Sequence, residues 1–171
     1  MQSLCLCGEE AASITTETQR TTETKVETRL MSKQKVLILC TGNSARSQMA
    51  EGLLRSMAAD RLSVASAGVA PSQVRAEAIE AMREIGIDIS EQRSKSVDEF
   101  TGEEFDYVIT VCDNANEQCP VFPGKTKRIH WSFEDPAAVT GEWDQRLEAF
   151  RKVRDQIEER LFEFAELGNV E

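Results

Sequence analysis

No stretch of this chain approaches the roughly 18–20 consecutive apolar residues that a helix needs to cross a bilayer. The first residues also lack the basic start and unbroken apolar core of a secretory signal. Positive charge is in deficit: 20 Lys and Arg stand against 30 Asp and Glu, a net charge of −10. That sign argues against nucleic acid or an anionic membrane as partner. An anion could be drawn in only by a local device, against the field of the whole molecule. The five cysteines (Cys5, Cys7, Cys40, Cys112 and Cys119) are odd in number, so they do not read as a structural disulfide framework. Neither Cys5 with Cys7 nor Cys112 with Cys119 has the two- to four-residue spacing of a zinc pair, and no metal is expected. Nucleophilic or redox-active thiols remain. The expectation is a cytoplasmic monomer with no bound cofactor.

What is present suffices for one domain: 171 residues, 40% of them hydrophobic, can bury a real core. Residues 1–33 stand apart. Seven of the fourteen residues from Thr15 to Thr28 are threonine, interleaved with charged and amide side chains. Such a segment cannot bury enough surface to offset its ordering entropy, and it reads as a disordered tail. Met31 is a candidate start of translation, which would leave Cys5 and Cys7 incidental. The domain is expected over residues 34–168.

Lys35 to Cys40 reads as a short buried strand, apolar from Val36 on as buried parallel strands are. Met49, Leu53, Leu54 and Met57 follow at helical spacing. Leu62 to Ser66 forms a second strand, and Val74, Ala78, Ile79, Met82 and Ile85 a second helix stopped by Gly86. Ile87 to Ser90 is extended, and Ser96 to Phe100 a helical turn. Asp106 to Cys112 is the third strand. A loop broken by Pro120, Pro123 and Gly124 covers Asp113 to Lys125, and Lys127 to Trp131 makes the fourth strand. Leu147, Phe150, Val153, Ile157, Leu161 and Phe164 mark a long helix from about Glu142 to Leu167, with Gly168 placed to end it. Strand and helix alternate, so the fold class is α/β with a small four-stranded parallel sheet flanked by helices. Ligands of such sheets bind beyond the carboxyl ends of the strands. Cys40, Cys112 and, after the fourth strand, Asp135 all fall there.

The stretch Cys40-Thr41-Gly42-Asn43-Ser44-Ala45-Arg46-Ser47 joins the first strand to the first helix. A tight loop at a helix start leaves N–H groups unpaired and aimed at an anion. Among those donors and near Arg46, the thiolate of Cys40 is favoured and its pKa should fall. Arg46 offers a planar fork of donors to a tetrahedral oxyanion. Gly42 permits the loop geometry, Asn43 and Ser47 can hydrogen-bond within it, and Ser44 is a candidate helix cap. Asp135, before Pro136, could act as general acid to a departing oxygen. His130, the only histidine, reads as structural rather than as a base, and Trp131 and Trp143 as packing residues.

This pattern resembles the low-molecular-weight protein tyrosine phosphatases, which use a C-x5-R cradle with a distal Asp-Pro acid. Within that superfamily, Thr41 to Ser44 leading into Ser47-Gln48-Met49-Ala50-Glu51-Gly52 resembles the thioredoxin-coupled arsenate reductases. So do Ser66-Ala67-Gly68, Gly86 to Ser90, Val111-Cys112-Asp113, Cys119-Pro120, and His130-Trp131 with Glu134-Asp135-Pro136. The resemblance runs from about residue 34 to 167. It implies that Cys40 attacks arsenate, with Asp135 assisting departure of a hydroxyl. Cys112 then attacks Cys40 and releases arsenite. Cys119 takes the disulfide from Cys112, and thioredoxin supplies the reducing equivalents. Phosphate and sulfate are expected analogues. Members with a bound potassium ion place ligands at positions matching Asn43, Glu51 and Ser66, plus an acidic residue where this chain has Lys95. A Lys95 ammonium in place of the cation is the expectation. Two alternatives remain at this point: a low-molecular-weight protein tyrosine phosphatase, which needs only Cys40, and a non-catalytic oxyanion sensor using its thiols as a switch.

Overall fold

The computed structural model describes residues 33–167; the stretch read as a tail, apart from Lys33, and the expected helix stop at Gly168 lie outside them. The run Gln34–Cys40 forms β1, buried from Val36 onward between strands on both of its edges and helices over its faces. Beside it lie β2 (Leu62–Gly68), β3 (Tyr107–Thr110) and β4 (Lys127–His130), in the order β2-β1-β3-β4 with every pair parallel. Parallel neighbours need crossover connections. These are supplied by α1 (Arg46–Ala58), between β1 and β2, and by α2 (Ala76–Arg83), in the longer return to β3. A short α3 (Asp113–Glu117) follows β3, and α4 (Trp143–Leu167) closes the chain against α1 and α2. Among the described residues no helix is long and apolar enough to cross a membrane.

The six apolar positions that marked α4 are all buried. Phe164 reaches the sheet side, with its ring edge-to-face on Tyr107 at 5.1 Å. Trp131 is buried with them, whereas Trp143 is 41% exposed, with only the Arg146 guanidinium over its ring. The reading of Trp143 as a packing residue therefore does not hold for the core.

Several boundaries differ from expectation: β2 runs on past Ser66 to Gly68, and β4 stops at His130, one residue before Trp131. The second helix starts at Ala76, two residues after Val74, because Arg75 is extended and its N–H is drawn to the Ser44 carbonyl at 2.9 Å. β3 ends at Thr110, so Cys112 leaves the sheet and becomes the residue before α3. The segment after it, read as a loop, begins with that one-and-a-half-turn helix. Register aligns the strand ends: Cys40 lies opposite Gly68, Leu39 opposite Thr110, and Thr110 opposite His130. One rim of the sheet thus collects the chemically active side chains.

Candidate active site at the carboxyl edge of the sheet

The loop after β1 is shaped from outside by residues 69–75. Val69, Ala70, Ser72 and Arg75 donate their N–H groups to the carbonyls of Cys40, Thr41, Gly42 and Ser44 at 2.9–3.3 Å. Engaging those carbonyls on the outer side turns loop N–H groups inward, and that of Asn43 donates to the Cys40 sulfur at 3.1 Å. Gly68 makes the fit possible. A Cβ there would lie 2.6 Å from the Thr41 carbonyl oxygen and 2.8 Å from the Asn43 nitrogen, inside contact distance. Asn43 takes φ +43°, the left-handed conformation that asparagine tolerates better than most residues.

Asn43 is the keystone of the loop. Fully buried, it donates through Nδ2 to Ser47 Oγ (2.9 Å) and Ser66 Oγ (2.8 Å), and its Oδ1 accepts from Gln48 Nε2 (3.0 Å) and the Lys95 N–H (2.7 Å). Gln48 also donates to the carbonyls of Asn43 and Arg93. The sequence reading gave Gln48 no role. Its only signal in the sequence was an amide placed where the chain enters a helix; its complete burial comes from the fold. Ser44 does not cap α1: the capping position belongs to Ala45, which makes no side-chain cap. The Ser44 carbonyl is held by Arg75, and the first N–H groups of α1 are left to the loop.

Cys40 sits 2% exposed, its sulfur 2.8 Å from Ser47 Oγ. The expected fall in its pKa is not found. Burial pushes the thiol above its ordinary value, outweighing the Ser47 hydrogen bonds that pull it down; Cys112 pushes it the same way as burial, and Arg46 lowers it least. Arg46 contributes so little because of where it points. Its guanidinium donates to the Phe133 carbonyl at 3.0 Å and faces Asp135 Oδ1 at 3.5 Å. The fork is thereby anchored to the 133–135 turn, which carries the Asp135 carboxyl to the loop across 89 residues of sequence. Asp135 also accepts from the Ala137 N–H at 3.2 Å and keeps its side chain 49% exposed.

Cys112 is buried, its sulfur 3.3 Å from Thr41 Oγ1. Asn114 Nδ2 donates to that same hydroxyl at 3.1 Å, which leaves the hydroxyl hydrogen free for the sulfur. Cys119 lies at the far end of α3, half-buried and with its pKa raised by that burial. All three sulfurs are free thiols.

Glu51, Ser66 and Lys95 gather behind the loop. Lys95 Nζ reaches Glu51 Oε2 at 3.2 Å and the Arg93 carbonyl at 3.2 Å, while Ser66 Oγ donates to the same carboxylate oxygen. Arg55 holds the other oxygen at 2.5 Å. One buried carboxylate thus already faces two cations, and a third positive charge there is disfavoured. These residues do not fit a resident potassium ion.

The family model of low molecular weight phosphotyrosine protein phosphatases matches residues 35–169. The chain is similar to the arsenate reductase of Halalkalibacterium halodurans, 45% identical over 138 residues that cover 81% of this chain and 99% of the relative. That of Bacillus licheniformis is 46% identical over the same shares. Among solved structures, an arsenate reductase in the phosphate binding state superposes with a TM-score of 0.63 at 37% identity, covering 77% of this chain and 96% of the other.

Proposed function

The chain belongs to the low-molecular-weight phosphotyrosine protein phosphatase family, and from the site built on that fold we propose that it reduces arsenate to arsenite. The observation that carries the reading is Cys112, a second buried thiol at the loop, its sulfur 3.3 Å from the hydroxyl of Thr41, the residue after Cys40. Hydrolysis has no use for it. Reduction of arsenate needs two electrons, which two thiols supply on becoming a disulfide.

In the proposed sequence the Cys40 thiolate attacks arsenic, held by the loop N–H groups and Arg46. Asp135 protonates the departing hydroxyl. Cys112 then attacks the Cys40 sulfur. An S–S bond forms, the S–As bond breaks, and its electron pair stays on arsenic, which leaves as arsenite. Thr41, oriented by Asn114, is placed to steady the Cys112 thiolate. Cys119 attacks Cys112 and frees Cys40, and thioredoxin reduces the resulting Cys112–Cys119 disulfide. The last transfer requires movement, since the two residues bracket α3. Quantifying arsenite formed from arsenate with thioredoxin as the sole reductant tests the reading. Arsenite accumulating in proportion to thioredoxin oxidised supports it, and none formed rejects it.

A tyrosine phosphatase is the second reading, favoured by the Cys40, Arg46 and Asp135 arrangement, which would suffice for hydrolysis.

We assign to Lys95 the place of a monovalent cation. Its ammonium sits on Glu51, which with Ser66 and Asn43 supports the loop from behind. Exchange of sodium for potassium at constant ionic strength is therefore expected to change steady-state turnover by less than about twofold. A severalfold activation by potassium would remove Lys95 from this role.

A further inference from the structure

We propose that His130, acting through Asp113, is a latch that keeps α3 wound and so sets the reduction potential of the Cys112–Cys119 pair. The inference rests on the relay described above. Cys112, itself extended, precedes α3 and Cys119 lies two residues past its end, so the wound residues 113–117, rising about 6 Å along the axis, stand between the two thiols. A disulfide needs Cα atoms within roughly 4.4–6.8 Å. On this proposal the Cys112–Cys119 disulfide closes as α3 unwinds, whereas the dithiol leaves it wound. A contact made only by wound α3 favours the dithiol and makes the couple more oxidising.

Little else holds α3. Five residues fall well short of what a helix needs alone, and only Ala115 of the five is buried. What it has is tethers at its first turn and one longer contact from Thr110 Oγ1 to Asn116 Oδ1 at 3.4 Å. His130 ends β4 directly opposite Thr110, the end of β3. Its Nδ1 lies 2.8 Å from Thr110 Oγ1 and its Nε2 lies 3.0 Å from Asp113 Oδ1. A carboxylate only accepts, so Nε2 carries the proton, and with a neutral ring the Thr110 hydroxyl donates to Nδ1. Thr110, His130 and Asp113 thereby tie two strand ends to the residue that follows Cys112. Ser132 holds the same carboxyl, and together with His130 keeps it below the usual carboxylate range. Asn114 adds the bond to Thr41. The imidazole is hydrogen-bonded to neither sulfur, so His130 is a positioning residue.

The test is the reduction potential of the Cys112–Cys119 couple in the full chain. The protein is equilibrated with reduced and oxidised dithiothreitol at pH 7, quenched with acid, and its thiols are labelled and mapped. The protein disulfide takes two electrons and two protons from the dithiol reagent, which closes to its cyclic disulfide. His130→Ala and Asp113→Asn are each expected to move the equilibrium about threefold toward the protein disulfide, about 14 mV more negative for a two-electron couple. Because both act through one contact, the double variant should shift no further than the larger single one. Should His130→Ala fail to fold, Ser132→Ala loosens the same carboxylate from its other side and should shift the couple the same way. Unmoved potentials, or shifts that simply add, overturn the latch. If no poise produces a Cys112–Cys119 disulfide in the unsubstituted protein, the relay itself fails, and the latch with it.

Discussion

Cys112→Ser is expected to lower thioredoxin-dependent arsenate turnover by at least about a thousandfold, while aryl-phosphate hydrolysis stays within about threefold of the parent. The asymmetry follows from which bonds each reaction must break. Attack by Cys40 on a tetrahedral oxyanion uses the loop, Arg46 and Asp135, and the substitution reaches these only at the Thr41 hydroxyl, where a serine oxygen can keep the hydrogen bond. A phosphocysteine can then be resolved by water. An arsenic adduct on Cys40 loses its oxidation state only if a second sulfur takes the first, and serine oxygen cannot form that bond. Steady-state rates with the two substrates on one preparation check this. Equal losses in both activities would mean that Cys112 supports the fold of the site and is not a redox partner.

Arg46→Lys is expected to reduce both activities together, by roughly a hundred- to a thousandfold. Arg46 performs two tasks with one planar group. It ties the turn carrying Asp135 to the loop through the Phe133 carbonyl, and it presents donors beside the cradle. A lysine ammonium can neutralise a charge but cannot bridge a carbonyl and a carboxylate while also meeting an oxyanion with parallel donors. The loss should appear mainly in kcat with a smaller rise in KM, because the donors matter most as charge builds on the leaving oxygen. An Arg46→Lys protein retaining a tenth or more of either activity would contradict the assignment.

The sheet and the loop were legible because burial and sequence agree there. Val36 to Cys40 is an unbroken apolar run since both its edges and faces are covered, and α4 carries one apolar face for about five turns. The helix α3 was not legible. Asp113-Asn114-Ala115-Asn116-Glu117 has one buried position, hence no period to read, and its Asp and Asn residues favour turns when taken locally. Its winding depends on partners at His130 and Thr41, distant in sequence. The direction of the Cys40 shift was hidden for a similar reason. The donors around the thiol are local and can be listed from the loop, but the burial that outweighs them comes from the closing of the whole sheet edge. Lys95 was placed by resemblance alone; what the fold adds is Arg55 on the same carboxylate, which decides the charge count.

The relay stands or falls on the third thiol. NADPH oxidation should be followed with thioredoxin, thioredoxin reductase and arsenate, using the unsubstituted protein and Cys119→Ser. The unsubstituted protein should oxidise NADPH continuously and only when arsenate is present. Cys119→Ser should release about one equivalent of arsenite and stop with Cys40 joined to Cys112. No arsenate-dependent oxidation by the unsubstituted protein, alongside rapid aryl-phosphate hydrolysis, would contradict the reductase and leave a phosphatase.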